Sequence, residues 1–516
     1  MSQEKFDVTI VPVNATYAKI FCDSSILFEL VDNYTFMVDG YKYAPSYRSG
    51  AWSGERFMIS KITRQVYIGL VPEIVQYCID NGYSVDNQAK SPSNEKITLE
   101  VVENFCEQLN IHSRGQPIEV RPYQIEAIFH AIKNSRATLV SPTSSGKSLI
   151  IYCITRWYLL NNKKILLLVP NLGLIAQMYS DFADYSTENG WIVADHAQMI
   201  HGGKSKTVDR PLVIANWQSI YNTGKTGGKS GKPADGIAKN FFSHFDAVFN
   251  DETHLAKAKS ISGIMEKCIN ATKRFGLTGT MSGVDCDKLV IEGLFGPVFN
   301  VITTKELMDA GAITKLKIKC LKLNYSDEVK KNSSKLTYQE EMNYLVTSPD
   351  RNNFICKLAA SQKGNTIIFF NFVEKQGKVM KKMLEDLCGD KKTILYISGE
   401  VKLDDREDIR KMIAERNDLI ILGSIACIGT GFSAPNLHVG IFASPCKSKI
   451  RVLQTIGRLL RLSSGKNDCT LYDLVDDLTW KSHKNFTWNW FMERVKYYCE
   501  TKFDYKILDI PKEHVK

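Results

Sequence analysis

The chain has 516 residues, too many for one ordinary domain, and its 44% hydrophobic and 24% charged residues exclude a polypeptide without folded cores. Lysines and arginines (66) outnumber aspartates and glutamates (56), and the net charge of +10 favours an anionic partner without proving one. We find neither the pattern of a secretory signal nor the ~20 apolar residues of a membrane span, so we expect a cytoplasmic protein without a membrane partner. The 13 cysteines are scattered without a CxxC pair, which argues against a disulfide framework and a paired-cysteine zinc site.

Residues 1–112 are predicted to form a small α+β accessory domain, because alternating apolar and polar segments accompany one helical stretch near Val71 to Asn81. Aromatic and cationic residues interleave in this domain, as in surfaces that stack bases and contact phosphates. The residues in this pattern are Tyr41, Lys42, Tyr43, Tyr47, Arg48, Trp52 and Arg56. We therefore predict DNA binding through Arg48 and Trp52. The equally weighted alternative is a small aromatic core with solvated charges.

Residues 113–300 repeat a short apolar run, a turn and a helical stretch, which predicts a doubly wound α/β domain with a parallel sheet. The apolar runs end at Val140, Pro170, Trp217, Glu252 and Thr278. Between Asn222 and Gly236 the sequence is too rich in glycine and serine to pack. We interpret this stretch as a solvated insertion, with a flexible phosphate-contacting finger as the alternative.

The octapeptide SPTSSGKS, from Ser141 to Ser148, follows the first of these runs and precedes a helical stretch, which is the context of a P-loop. In such loops the backbone N–H groups surround phosphate, the lysine neutralises its charge and the last hydroxyl ligates magnesium. Ser141 stands where the general pattern has glycine, a small departure. The predicted ATP-binding residues are Thr143, Ser144, Ser145, Gly146, Lys147 and Ser148, of which Ser148 is also a metal ligand.

Three further motifs support this prediction. In NDETH, which ends a later strand, Asp251 is expected to hold the metal and Glu252 to orient and deprotonate the attacking water. In RPYQ, Arg121 and Gln124 are predicted to bind the nucleotide, and Gln124 would pair with an adenine edge. GLTGT, which follows the acidic strand, is predicted to link the nucleotide state to the neighbouring domain through its hydroxyls.

Residues 301–345 are predicted to be a linker, and residues 346–516 a second parallel α/β domain with a C-terminal helical segment. In QTIGRLLR, Arg458 and Arg461 are three residues apart, so one helix would project both from the same face towards a γ-phosphate. The segment from Phe486 to Tyr498 is expected to pack on this second domain, with binding of another protein as the alternative.

Eight motifs occur in the order RPYQ, PTSSGKS, VPNLGLIAQ, IANWQS, NDETH, LTGT, IGTGFSAPNL and QTIGRLLR. With them the chain resembles superfamily 2 helicases of the DExH type, and most closely the UvsW-like recombination helicases of T4-type bacteriophages. The resemblance implies two RecA-like P-loop NTPase domains preceded by the accessory domain, with ATP and Mg²⁺ as cofactors. It also implies nucleotide contact by Gly429 and nucleic-acid contacts by Pro170, Asn171, Gln218 and Thr430.

The same resemblance implies unwinding and branch migration of branched DNA, together with strand annealing, in recombination-dependent replication and repair. The implied partners are DNA, RNA within R-loops, and replication or recombination proteins. We expect a monomer, in the host-cell cytoplasm if a phage encodes it. Two other functions stay open: a duplex translocase that does not separate strands, and an ATP-gated nucleic-acid clamp.

Overall fold

A computed structural model describes residues 6–90, 96–202, 206–221, 237–238, 240–256, 259–281, 284–401, 403–429, 434–463, 465–511 and 513. The chain divides into two compact units, Met1–Ser141 with Gly146–Val301 and Pro142–Ser145 with Ile302–Lys516. Among the described residues, no helix is both long and apolar enough to cross a bilayer. All 13 cysteines are free and most are buried, as expected for small apolar side chains.

The accessory domain is a four-stranded mixed sheet with helices, as the alternating pattern predicted. Its sheet has the order Gln65–Tyr67, Tyr17–Cys22, Val8–Pro12 and Val85–Asn87, and a separate pair joins Thr35–Met37 to Glu55–Phe57. Its α-helices are Ser24–Asn33, Pro45–Arg48, Val71–Asp80 and Leu99–Gln108, and a small strand pair, His112–Ser113 with Gln116–Pro117, follows. The predicted helix near Val71 therefore ends one residue before Asn81.

The first RecA-like domain is a seven-stranded parallel sheet flanked by helices. The strands lie in the order Ala197–Ile200, Leu212–Asn216, Ile165–Val169, Ala247–Asp251, Lys273–Thr278, Arg136–Val140 and Val298–Asn300. The α-helices are Pro122–Asn134, Lys147–Leu160, Leu172–Tyr185, Val193–His196, Trp217–Ile220, Lys259–Lys267 and Asp285–Phe295. The inner strands are buried along their length, which explains why they read as continuous apolar runs.

One hydrophobic core joins the accessory sheet to the first RecA-like domain, so the boundary predicted at residue 112 does not separate two compact units. Two buried arginines on neighbouring strands reinforce this joint. Arg274 donates to the Thr16 hydroxyl at 2.6 Å, and Arg136 donates to the Ala15 carbonyl. Burial lowers the pKa of Arg274 to about 10. A buried guanidinium needs such acceptors, because an unpartnered one would be costly.

The second RecA-like domain is also a seven-stranded parallel sheet. Its order is Thr393–Ile397, Leu419–Ser424, Thr366–Phe370, Val439–Phe442, Asp468–Asp477, Lys315–Asn324 and Asp504–Ile510. Its α-helices are Thr304–Asp309, Asp327–Ser333, Tyr338–Thr347, Pro349–Ser361, Lys378–Cys388, Leu403–Glu415, Ile425–Gly429, Lys449–Leu459 and Phe486–Glu500, with a π-helix at Val373–Gly377. Two RecA-like domains preceded by a small α+β region confirm the predicted fold class.

The linker predicted at 301–345 is corrected by the structure. Lys315–Asn324 is a ten-residue strand inside the second sheet, paired on both sides. Its lysines alternate with apolar residues, which is typical of a strand with one buried face, and only the apolar positions are consistently buried. The linker prediction followed the high lysine content and gave this alternation no weight.

The C-terminal helix packs on the second domain, as expected. Arg494 on this helix binds both Asp473 oxygens, at 2.8 and 2.9 Å, and the Cys446 carbonyl at 3.0 Å. Arg351 binds Asp476 in the same way, at 2.8 and 2.9 Å. Removing one member of such a buried pair would leave the other charge buried and unpaired.

We expect Gly69→Ala to destabilise the first unit by about 1–3 kcal/mol, because its new methyl group would overlap the backbone oxygens of Glu292 and Gly293 in the first RecA-like domain. Gly202→Ala is the matched control, since nothing lies within 4 Å of its added carbon. Denaturant unfolding of both variants measures the difference. Equal midpoints would show that the accessory domain is not joined tightly to this surface.

Candidate nucleotide and nucleic-acid site

Five adjacent strands of the first sheet place the candidate residues along one edge. In spatial order these strands end at Asn216, Val169, Asp251, Thr278 and Val140. All are parallel, so the residues that follow them share the carboxyl edge, where open α/β sheets bind ligands. The predicted nucleic-acid contacts follow the first two strands, and the predicted nucleotide residues follow the other three.

The P-loop begins at the buried Ser141, whose N–H donates to the Thr278 carbonyl on the neighbouring strand at 2.9 Å. The Lys147 ammonium group donates to the Ser141 carbonyl at 3.0 Å, which places the lysine over the loop. The Ser145 hydroxyl donates to the Pro142 backbone carbonyl at 2.6 Å, and Ser144 adopts a φ of 70°. This compact turn leads into the helix Lys147–Leu160, as the strand, loop and helix context predicted.

Gln124 lies directly against the P-loop. The residue is 3% exposed, and its side-chain amide oxygen accepts the backbone N–H of Arg121 at 2.9 Å. Gly146, at a φ of 83°, leaves room for this amide, because an added Cβ there would overlap it. Arg121 itself contacts the Tyr123 hydroxyl at 3.1 Å. The structure therefore brings Gln124 and Gly146 together, whereas adenine recognition by Gln124 and nucleotide binding by Arg121 stay predictions.

The acidic motif lies at the end of the strand Ala247–Asp251. Burial and the neighbouring Glu252 charge raise the pKa of Asp251 to about 7, while the nearby Lys147 ammonium opposes this rise. Glu252 has a φ of 57°, a conformation that is rare for a side chain other than glycine and is frequent at functional sites. The two predicted carboxylates are thus close enough to influence one another, and Lys147 is their neighbouring cation.

His254 is a residue of this site to which the sequence assigned no role. Its Nδ1 atom lies 3.2 Å from a Glu252 carboxylate oxygen and 3.0 Å from the Thr278 hydroxyl. Thr278 in turn donates to the Thr280 carbonyl at 2.9 Å. The acidic motif is therefore linked directly to GLTGT. The fifth position of NDETH was the available signal, because a histidine beside a carboxylate can orient it.

Tyr185 is a second residue that sequence reasoning missed. Its hydroxyl lies 2.9 Å from the Ser148 hydroxyl, the predicted magnesium ligand. Tyr185 is 37 positions away along the chain, at the end of another helix, so no local pattern could have indicated this contact.

In the second unit, the prediction that one helix projects both arginines is wrong for Arg461. The helix Lys449–Leu459 includes Arg458 but ends before Arg461. The buried Lys466 ammonium group causes this ending, because it binds the carbonyls of Leu459, Arg461 and Pro435 at 2.5, 2.9 and 3.1 Å. It thereby satisfies carbonyls that a helix end leaves without partners. Contact of either guanidinium with phosphate stays a prediction.

The predicted nucleic-acid residues of the first sheet lie side by side. Pro170 and Asn171 follow one strand, and the exposed Gln218 follows its neighbour. The Asn171 side chain caps the helix Leu172–Tyr185 by accepting the Leu174 N–H at 3.0 Å. Its amide oxygen is thus committed, and a phosphate contact would use its NH₂ group or the helix N–H groups. Gly429 ends the helix Ile425–Gly429, whereas Thr430 and residues 222–236 lie outside the described residues.

Some of the interleaved aromatic and cationic residues of the accessory domain make structural contacts. Tyr41 and Tyr47 pack edge to face with their centroids 4.8 Å apart, and the Trp52 N–H donates to the Glu55 carbonyl at 2.9 Å. Arg48 is exposed, and its contact with the Lys42 carbonyl is long, at 3.4 Å. This surface therefore has features of both an aromatic core and a DNA-binding surface. DNA binding by Arg48 and Trp52 stays a prediction.

Three family models match separate parts of the chain. Residues 7–87 match the N-terminal region of the DNA helicase UvsW, residues 117–283 the res subunit of type III restriction enzymes, and residues 350–463 the conserved C-terminal domain of helicases. These matches cover the accessory domain and both RecA-like domains.

Similar proteins cover nearly the whole chain. The ATP-dependent DNA helicase uvsW of Enterobacteria phage T4 is 33% identical over 510 residues, which is 95% of this chain and 97% of the relative. The crystal structure of T4 UvsW is 32% identical, with 98% and 99% of the two chains covered and a TM-score of 0.51. The DNA 3′-5′ translocase XPB2 of Sulfurisphaera tokodaii is 23% identical over 70% of this chain and 83% of its own. The resemblance found in the motifs is thereby confirmed, and the chain belongs to the UvsW family of ATP-dependent helicases.

Proposed function

We propose that this protein uses ATP hydrolysis to unwind and branch-migrate branched DNA, including R-loops and Holliday junctions, in recombination-dependent replication and repair. Similarity to the T4 DNA helicase along 95% of the chain, accessory domain included, supports this proposal. The observation that carries it is the pair of carboxylates at Asp251 and Glu252 beside the P-loop lysine. Such an arrangement suits phosphoryl transfer to water.

We assign the nucleotide roles as follows. Lys147 and the P-loop amides bind the phosphates, Gln124 selects adenine, Arg121 binds the nucleotide, and Glu252 orients and deprotonates the attacking water. The His254 ring bridges the Glu252 carboxylate and the Thr278 hydroxyl. Because Thr278 ends a strand next to the one that leads into the P-loop, a change at the phosphates can reach GLTGT through these hydrogen bonds.

A magnesium ion fits the donors present. Ser148 and Asp251 supply oxygen atoms, which Mg²⁺ prefers, and burial makes the charged form of Asp251 costly unless a cation is near. In the part of the chain that the structure describes, no three His, Cys, Asp or Glu side chains form a metal site by themselves. Mg²⁺ would therefore be bound together with phosphate oxygens and water, where it neutralises phosphate charge.

The arginines of the second RecA-like domain complete the proposal. Arg458 and Arg461 would stabilise the charge on the γ-phosphoryl group, as arginine fingers do. Loss of the γ-phosphate would remove their anionic partner, so the grip of the two domains on DNA would alternate between tight and loose. Contacts with the DNA backbone suffice for such stepping, so we expect little sequence preference and a strong salt dependence.

Lys147→Ala should lower DNA-stimulated ATP hydrolysis on the order of 100-fold or more, because the phosphate charge loses its nearest cation.

Arg458→Ala should lower kcat by roughly 1,000-fold while a fluorescent ATP analogue still binds. Arg451→Ala, an exposed arginine on the same helix, is the matched control and should behave like the wild type. Undiminished hydrolysis in both the Lys147 and Arg458 variants would refute the assigned site, whereas a wild type that binds the analogue without DNA-stimulated hydrolysis would favour an ATP-gated clamp.

Magnesium binding should weaken as the pH falls through about 7, because a proton then competes for the Asp251 carboxylate. We expect the Mg²⁺ concentration that half-saturates nucleotide binding to be about tenfold higher at pH 6 than at pH 8. In Asp251→Asn the half-saturating Mg²⁺ concentration should no longer depend on titration of residue 251. Any pH dependence that remains should come from titration of the nucleotide. Identical pH profiles for the variant and the wild type would refute metal binding by Asp251.

Arg48→Ala should weaken binding to four-way junctions while the melting temperature stays unchanged, because the exposed Arg48 is expected to contact phosphate. Trp52→Ala should also weaken this binding through loss of a base contact, and it should lower the melting temperature slightly because the hydrogen bond to the Glu55 carbonyl is lost. Lys61→Ala, at another exposed cation of the accessory domain, tests whether charge alone is responsible.

Strand-separation assays on forks, junctions and R-loops measure the proposed helicase activity. ATP-dependent triplex displacement without strand separation would instead favour a duplex translocase.

A further inference from the structure

Tyr185 ends the helix Leu172–Tyr185 and reaches across to the P-loop helix, where its hydroxyl lies 2.9 Å from the Ser148 hydroxyl. Burial, as the largest cause, raises the pKa of Tyr185, so the phenol keeps its proton at neutral pH. The contact joins two neutral hydroxyls, either of which can donate.

The end of this helix is held in place from several directions. The Tyr152 ring packs against the Tyr185 ring with centroids 5.4 Å apart, and the Tyr152 hydroxyl binds Arg156 and Asn189 at 2.8 and 3.0 Å. The adjacent Asp184 accepts hydrogen bonds from the Ser113 hydroxyl and the Arg114 N–H, at 2.9 and 2.8 Å. The position of the Tyr185 hydroxyl therefore follows the position of the helix.

A serine hydroxyl has one proton and two lone pairs. When Ser148 donates its proton to Tyr185, both lone pairs stay available for a cation, and the direction of the O–H bond is fixed. Without Tyr185 the hydroxyl is free to rotate and to turn its proton towards the cation. The contact thus favours the orientation of Ser148 that can bind a metal.

The same helix has a predicted nucleic-acid contact at its other end. Asn171 caps the first turn, and Tyr185 is the last residue of a 14-residue helix, which spans about 20 Å. A helix of this length is stiff along its axis, so a shift of the whole helix on nucleic-acid binding would reach Tyr185 and load the contacts that hold this end. No other contact is needed to connect the two ends.

We propose that Tyr185 is a positioning residue for the metal and nucleotide site, and that the helix Leu172–Tyr185 transmits nucleic-acid binding at Asn171 to Ser148. This inference rests on the proposed function, because it takes Ser148 as the metal ligand and Asn171 as a nucleic-acid contact. It adds a route within one RecA-like domain by which DNA adjusts the affinity for Mg²⁺.

The first measurement is a Mg²⁺ titration of fluorescent N-methylanthraniloyl-ADP bound to the full-length protein. Tyr185→Phe removes one hydroxyl and should raise the half-saturating Mg²⁺ concentration about fivefold, the effect of one ordinary hydrogen bond. Tyr152→Phe is the matched control, because its hydroxyl lies in the same aromatic cluster and binds Arg156 and Asn189. It should lower the melting temperature and leave the Mg²⁺ titration unchanged.

The second measurement repeats the titration with a single-stranded oligonucleotide. In the wild type the half-saturating Mg²⁺ concentration should change when DNA is added, and in Tyr185→Phe it should not. A DNA effect of the same size in both proteins, or none in the wild type, would refute transmission through the helix.

Ser148→Ala separates this inference from the proposed function. If Ser148→Ala raises the Mg²⁺ requirement and Tyr185→Phe does not, the role of Tyr185 is wrong and the metal assignment stands. If Ser148→Ala has no effect, the metal assignment itself fails and the inference fails with it. An equal effect of Tyr152→Phe and Tyr185→Phe would reduce the contact to general packing.

Discussion

The charge balance between Asp251, Glu252 and Lys147 is the interaction on which the first RecA-like domain depends. Two neighbouring carboxylates at a buried strand end repel one another, and the lysine is the cation that opposes this repulsion. The lysine also holds the P-loop backbone at Ser141, so one ammonium group serves both the loop and the carboxylates. Local electrostatics therefore act together with the left-handed backbone at Ser144, Gly146 and Glu252 to organise the phosphate site.

The parallel sheet gives this local site its wider connections. Parallel strands expose their following loops on one edge, so nucleotide residues and nucleic-acid candidates become neighbours although they are distant in sequence. Hydrogen bonds connect neighbouring loops and helices at this edge in short steps, from Glu252 through His254 to Thr278, and from Ser148 to Tyr185. A helicase needs such connections, because hydrolysis at one part of the edge must change binding at another.

Much of this was predictable from the sequence, because strand order hardly matters for motifs that follow buried apolar runs. The strands before Ser141 and through Asp251 lie where the runs indicated. What failed depended on distant partners. The place of Lys315–Asn324 between two strands that come much later in the chain has no local signal, and the helix before Arg461 ends where Lys466 binds the carbonyls of Leu459 and Arg461. The Tyr185 contact and the arginine joint at Thr16 likewise have no local signature.

The position of Lys315–Asn324 also has a consequence for how the chain acquires its fold during synthesis. This strand leaves the ribosome long before Asp468–Asp477 and Asp504–Ile510, the two strands that flank it. At ~5–20 residues per second the delay is on the order of ten seconds. During that time its backbone N–H and C=O groups are unpaired, and the second sheet can close only after the last strand emerges. A nascent chain of this kind is exposed to aggregation, and chaperone capture during translation would protect it.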